Sequence, residues 1–514
     1  MRTTILVILI FFQISSIDGQ TSLKKINLAV GDYKVGFRHY TTIDSTRTYQ
    51  IRNEFNNQFI YRPIPVSIWY PASIKNTDSK QFTVLEYLEV LKEEEEWKNI
   101  PNEFLLDWFP YLWNTPENKG HLSEKAVAFS DASFLEGKFP VVVYAPSYQA
   151  SSIENFALFE YLASNGFVVI SSPSRGTHTR WLEGGTAKDM ETQSRDVEFL
   201  LKEIHRYKNI DLGNVALMGF SFGGLSNVIT VMKNPKIKAL VSLDGTERYR
   251  YDVMEKSAYF DLNKLHIPYA HFAQKNIPEI VLKEDKIPAE LNFKFQLFDS
   301  LKYSNVYSYK FHDLTHSYFS SFGVLFGNRD KRQDKSDHQI MDSYKQLSEH
   351  TLYFLNATLK NKERAKEFIE NSPDKNGFPK SRISKKMKKS LVTAFNYKDF
   401  NDLALHQGYK ELIPLYKETL AMHPNLKLEE GMLNSLGLRL SFDPERSEQG
   451  INVFLLAVHI YPKSANLYDS LAEAYLIQKD FGNAITNFKK SLELNPENQN
   501  AINRLKQLKN KARH

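Results

Sequence analysis

One stretch, residues 214–224, constrains the fold more than any other. Its apolar run at 215–218 has the length and flanks of a buried strand. The run breaks directly into Gly219-Phe220-Ser221-Phe222-Gly223, a G-x-S-x-G arrangement, and a helix-compatible stretch follows at 225–232. A reactive serine needs a sharp strand-to-helix turn that lifts its hydroxyl clear of the sheet. The turn crowds the backbone, so small residues are required two positions to either side. The amide of Phe222 then points to where an oxyanion would form. The five-residue pattern alone also suits an ordinary Gly/Ser turn. The strand before it and the helix after it favour Ser221 as a nucleophile.

The surrounding chain supplies the sheet such a turn requires. From residue 139, apolar strands at 141–145, 167–170, 215–218 and 237–243 alternate with helices at 156–164 and 188–207. The first helix stops at Asn165-Gly166, and the second turns Val197, Leu200, Leu201 and Ile204 inward. Such alternation predicts an α/β fold, a mostly parallel sheet with helices on both faces, and places ligands beyond the carboxyl ends of the strands, where Ser221 sits. Upstream, Tyr33, Val35 and Phe37, then Ile64, Val66, Ile68 and Tyr70, alternate as strands. Residues 81–114 differ. Val84, Leu85, Leu88 and Leu91 follow helical spacing, the acidic run 93–96 follows, and an aromatic-rich group runs from Phe104 to Trp113. This reads as a helical pair packed on the sheet edge, with a lid or acyl-pocket wall as the alternative.

A serine hydroxyl needs a base, and a histidine base works best when a carboxylate orients it, in the chain order Ser, acid, His. Asp244 stands immediately beyond the apolar strand 237–243; the other reading is an aspartate that caps a turn with Gly245. The next strand, 267–273, runs into Gln274-Lys275-Asn276 with no carboxylate, and Glu279 is a distant reserve. The base belongs on a loop after the short strand 306–311. His316 lies on that loop, whereas His312 is nearly in the strand and reads as structural. His205 and His271 have no partner logic and read as surface or core residues, as does His178, whose loop after a strand end offers the alternative of a pocket lining. A second oxyanion amide is expected from the loop Pro146-Ser147-Tyr148-Gln149-Ala150, with Tyr148 the best-placed residue. No metal or cofactor is needed for this chemistry.

These pieces resemble the α/β-hydrolases of the dienelactone-hydrolase and platelet-activating-factor-acetylhydrolase group. The resemblance rests on Phe139-Pro140, the segment 162–169, Gly219-Phe220-Ser221-Phe222-Gly223-Gly224, Leu243-Asp244 and His316-Ser317-Tyr318-Phe319, and covers roughly residues 28–325. It implies an α/β-hydrolase fold, ester hydrolysis, Ser221, Asp244 and His316 as the catalytic residues, and Phe222 and Tyr148 as the oxyanion amides. Two positions depart from the family pattern: Phe220 replaces a frequent histidine, and Pro146-Ser147 replaces the usual His-Gly.

A length of 514 residues is too much for one core. The net charge of +6 is mild and interleaved, which excludes a nucleic-acid stripe. Arg2 followed by the apolar run 5–12, too short to span a bilayer, predicts a signal peptide over 1–19 and export to a periplasmic or secreted location. The chain has no cysteine, so it has neither disulfides nor a lipid-attachment thiol. The hydrolase domain is expected over 20–370 and a polar linker over 371–389. Over 390–514, Tyr468, Leu471, Ala472, Tyr475, Ala484, Phe488, Ser491 and Pro496 fit the tetratricopeptide pattern. Leu436, Gly437, Phe454, Ala457 and Pro462 repeat it upstream, and a degenerate unit is expected to end at Tyr416 and Pro424. Such an array binds a peptide or partner protein, or else serves as a capping module. The sequence therefore reads as an exported serine hydrolase acting on a small-molecule ester; the alternatives are a serine peptidase on the same fold and a catalytically inactive protein-binding scaffold.

Overall fold

The computed structural model describes residues 21–511 apart from 54, 75–79, 131, 285, 328–333, 392–394 and 424–425. The expected signal peptide over 1–19 and the repeat position Pro424 lie outside the described residues. The chain divides into two compact units, Met1–Leu391 and Val392–His514.

The first unit is built on one mixed sheet. In chain order its strands are β1 Lys34–Arg52, β2 Asn57–Ser73, β3 Gln81–Thr83, β4 Lys125–Ser130, β5 Ser133–Phe134, β6 Phe139–Ala145, β7 Val168–Ser171, β8 Ile210–Phe220, β9 Ala239–Leu243, β10 Tyr269–Ala273, β11 Val306–Phe311 and β12 Ile383–Lys388. Across the sheet they run β12-β11-β10-β9-β8-β6-β7-β2-β1-β4-β3, with β5 beside β2. The stretch from β11 to β7 is parallel, and antiparallel β12 and β2 flank it. This is a mixed α/β sheet consistent with the α/β-hydrolase fold.

The continuous apolar runs follow from burial on both faces. On β6, Val142 and Tyr144 enter one core while Val141, Val143 and Ala145 enter the other. Helix Phe156–Ser164 packs on the first face, and helices Ala187–Glu203 and Phe222–Lys233 on the second. The helix Val84–Glu94 starts at a capping box on Thr83 and buries Val84, Tyr87 and Leu88 in the first core. Trp69 Nε1 donates to Tyr87 Oη at 2.9 Å, which ties this insertion to β2.

Residues 371–389 are not a plain linker. Ile383–Lys388 pairs antiparallel with β11 as the edge strand, and Ile383 is fully buried. The lysines that make this stretch look like solvated chain are what protects an edge strand from pairing with another molecule.

Among its described residues the second unit is helical, from Tyr397–His406 through Leu412–Met422, Glu430–Ser441, Ser447–Ile460, Ala465–Ile477 and Phe481–Leu494 to Gln499–Lys511. Small residues let its helices approach closely. A Cβ on Gly437 would meet the Phe454 ring at 2.7 Å, and Ala472, Ala484, Phe488 and Ala501 share one buried cluster. Among the described residues of the chain, no helix is long and apolar enough to cross a membrane.

Candidate active site

Ser221 lies between the end of β8 and the start of helix Phe222–Lys233, at φ 52° and ψ −118°. That conformation costs a serine about 1–3 kcal/mol and persists only where its surroundings hold it. Here they do. Ser221 N–H donates to Leu243 O at 3.1 Å, and Ser221 O accepts from Gly224 N at 3.0 Å and Thr246 N at 2.8 Å. A Cβ on Gly223 would lie 1.9 Å from Ala145 O, so the turn closes only because that residue is glycine.

The structure brings three distant side chains together over this turn. His316 Nε2 is 2.9 Å from Ser221 Oγ, and His316 Nδ1 is 2.6 Å from Asp244 Oδ2. Asp244 is fully buried at the end of β9, in a left-handed conformation with φ 42°. Burial pushes its carboxyl upward, but the bond to His316, that ring's charge and the Gln274 amide outweigh burial and hold it below the usual range. A carboxylate held ionised against the imidazole favours the tautomer that offers Nε2 as an acceptor to the serine. His316 itself is half-exposed, with its ring 5.0 Å from that of Phe220.

Gln274, passed over because it is not a carboxylate, joins the acid to the base. Its N–H donates to Asp244 Oδ1 at 3.0 Å, and its Oε1 accepts from His316 N at 3.2 Å. Tyr249 Oη adds a longer bond to Asp244 Oδ1, 3.4 Å. A residue just past a strand end in a parallel sheet was the available signal; the absence of charge concealed it.

The other side of the site is the loop after β6. Neither Tyr148 N–H nor Phe222 N–H donates to a protein acceptor among the described residues, and their rings meet edge to face at 5.8 Å. Ser147 N–H is already engaged by Glu154 Oε1 at 2.7 Å, whereas the Tyr148 and Gln149 amides beside it donate to no protein acceptor among the described residues. Glu154 also accepts from Ser147 Oγ at 2.7 Å and Tyr144 Oη at 2.9 Å. Burial raises its carboxyl to about 7 against these bonds and the charge of His316. Glu94, on the insertion, accepts from Ser151 Oγ, Ser152 Oγ and Ser152 N, and burial raises it likewise to about 7. Tyr111 Oη donates to Tyr148 O at 3.0 Å. The insertion thus holds the loop at two points, besides packing on the sheet.

A pocket of about 110 Å³ opens beside His316, with Leu91, Phe109 and Tyr111 from the insertion facing Gln149, Phe220 and Phe322. The edge-packing reading of residues 81–114 is therefore incomplete, because the same segment forms one wall of this pocket. Within the acidic run, Glu94 is buried and bonded to serines far along the chain.

The remaining candidates lie elsewhere. His312 Nε2 is 2.9 Å from Ser384 Oγ on β12, His205 Nδ1 meets Leu201 O, and Glu279 is exposed beside Lys283. His178 contributes its backbone carbonyl to Gln50 N. His271 is fully buried beneath the acid turn, 3.8 Å from Glu247, and burial pushes it down to about 3.

No family model and no curated protein matches the chain. Among solved structures, a ferulic acid esterase from Streptomyces cinnamoneus is similar at 15% identity over 65% of this chain and 93% of that chain, with a TM-score of 0.45. A likeness of that degree bears on neither activity nor substrate.

Proposed function

We propose that the chain is a serine hydrolase of carboxylic esters, and the observation that carries this reading is the continuous Asp244–His316–Ser221 hydrogen-bonded relay above a strained strand-to-helix turn. In this reading His316 Nε2 takes the Ser221 proton as Oγ attacks the ester carbonyl. Asp244 holds the imidazole and stabilises its cation. The amides of Phe222 and Tyr148 receive the oxyanion, and the protonated His316 returns its proton to the departing alcohol. Water then enters by the same base and releases the acid. The apolar pocket beside His316 is small, which favours a short acyl or alcohol group. The resemblance to dienelactone hydrolases and platelet-activating-factor acetylhydrolases fits the same residues.

Two further assignments belong to this reading. Export rests on Arg2 and the apolar run at 5–12, and mass spectrometry of the mature N-terminus checks it. A tetratricopeptide array for a peptide or protein partner rests on the repeated spacing and on close helix contacts such as Gly437 with Phe454.

The decisive experiment is hydrolysis of short- and long-chain p-nitrophenyl esters by wild type and Ser221→Ala, with fluorophosphonate labelling alongside. Turnover and labelling should both vanish in the variant, with kcat lower by about 10⁴-fold or more. A wild-type protein that neither labels nor turns over overturns the reading and moves an inactive binding scaffold ahead of it.

A further inference from the structure

A second concavity of about 370 Å³ lies along β10, β11 and β12, lined by Arg248, Asn276, Phe293, Phe298, Lys310 and Lys386 among others. Strand register builds its basic wall. Ser308 and Lys310 alternate on one face of β11, with His312 just past its end, and antiparallel pairing sets Lys386 opposite Ser308 and Ser384 opposite Lys310. Arg248 reaches in from the turn after Asp244 and is only 7% exposed.

Among the described residues these cations make no direct ion pair. Arg248 Nε and Nη2 donate to the carbonyls of Leu291 and Asn292, and Nη1 makes no hydrogen bond among the described residues. Lys310 Nζ donates to Asn276 Oδ1 at 2.6 Å and Asn292 O at 2.9 Å, both uncharged. Among the described residues no carboxylate pairs with Arg248, Lys310 or Lys386; Asp299 lines the concavity and uses its backbone carbonyl to hold Lys388. Burial, followed by the like charges of Arg248 and Lys386, outweighs the Asp244 carboxylate and pushes the Lys310 ammonium down to about 8. Holding the buried Arg248 and the half-buried Lys310 beside Lys386 with no paired carboxylate among the described residues is costly, and an entering anion removes that cost. The apolar side of the concavity is aromatic. Phe293 is 71% exposed, and Phe295 lies under the Arg248 guanidinium at 6.0 Å.

We propose that this concavity binds a small phosphate monoester, with the phosphoryl group between Arg248, Lys310 and Lys386 and its organic body against Phe293 and Phe298. The Arg248 Nη1 donors and two ammonium groups together suit the several oxygens of a phosphoryl group better than a halide, and the cavity exceeds what a bare oxyanion fills.

Isothermal titration of the full chain with phenyl phosphate, inorganic phosphate and phenol at low ionic strength tests this. Phenyl phosphate should saturate and bind more tightly than inorganic phosphate, and phenol should not bind. Lys386→Ala, an exposed position that threatens no packing, should weaken phenyl phosphate by about tenfold, the loss of one charge-assisted hydrogen bond. Lys310→Ala/Lys386→Ala should abolish binding, and Ser221→Ala should leave it unchanged. Co-sedimentation with phosphatidic-acid vesicles that the double variant loses would identify a lipid as the source of the phosphoryl group; binding of free phenyl phosphate without it identifies a soluble one. Failure to saturate at millimolar phenyl phosphate, equal binding by Lys386→Ala and wild type, or binding lost in Ser221→Ala overturns the proposal.

Discussion

The two sides of the candidate site are built by different means. The floor, Ser221 with Asp244, is fixed by neighbours in the sheet: a glycine that clears Ala145 O, and amide bonds from Gly224 and Thr246 to the Ser221 carbonyl. The roof, residues 146–152, has fewer backbone ties, Ala150 N to Ser147 O at 3.2 Å and Ser174 N to Ala150 O at 2.9 Å, and side chains supplement them. Buried carboxylates hold it: Glu154 from beneath and Glu94 from the insertion, with the Tyr111 hydroxyl as a third tie. The floor is thus set by steric exclusion, which tolerates no change, and the roof by replaceable hydrogen bonds. Substitutions on the two sides should differ in size and in kind.

The largest effect belongs to the floor. Asp244→Asn leaves the shape intact but offers His316 Nδ1 an amide, favouring the wrong tautomer; kcat should fall by about 10⁴-fold with little change in KM. Equal loss in kcat and binding would mean that Asp244 shapes the pocket and does not orient the base. On the roof, Glu154→Ala frees the Ser147 amide and unpins the Tyr148 donor, and kcat should fall by up to about 10²-fold, the lower end of the loss for one oxyanion donor. Glu154→Gln, which keeps one acceptor, should recover much of that loss. No difference between the two variants would break the comparison, because the roof would then be held by something other than the carboxyl.

That difference also governs how much could be read from sequence. Glycine spacing and strand ends are local, so Ser221, Asp244 and His316 were legible as a set, and so was the strand–helix alternation around them. Gln274 and Glu154 work through contacts made only when the sheet is assembled. Gln274 joins Asp244 to His316 across two loops, and nothing in its own neighbourhood distinguishes it from a surface glutamine. Glu94 stood in a run of four acids whose plainest reading is a solvated helix end, and its burial comes from Ser151 and Ser152. The strand β12 was hidden because only Ile383 and Met387 carry its apolar alternation among three lysines and a serine.

Beneath the floor, Glu247 gives a pH test of the same contrast. Its carboxyl is fully buried, accepting from Tyr269 Oη at 2.6 Å and from Ser242 Oγ, with Oε2 unpartnered. Burial raises it from 4.5 to about 7 against those bonds. A folded-state value above the unfolded one means that its stabilising contribution is complete below pH 4.5 and is lost as pH rises through 7. Glu247→Gln mimics the neutral acid and should not suffer that loss. Its melting temperature relative to wild type should climb between pH 5 and pH 8, by an amount equivalent to about 3 kcal/mol at most. The low value of His271, set first by its own burial and then by the Arg248 charge, acts in the opposite direction as pH falls in both proteins. A flat difference across that range would place Glu247 in the ionised form throughout.

The smallest expected effect is the most specific to the roof. Tyr111→Phe removes one hydroxyl, the donor to Tyr148 O, and leaves the ring in the pocket wall. A single such bond is worth about 1 kcal/mol, so kcat should fall by about fivefold with the fold unperturbed. Because Glu154 already holds the loop from below, the loss should grow when Glu154 is also replaced: if the two ties share one loop, Tyr111→Phe in a Glu154→Gln background should cost more than it does alone. Simple additivity in that double-mutant cycle would mean that the insertion walls the pocket without positioning the oxyanion amide.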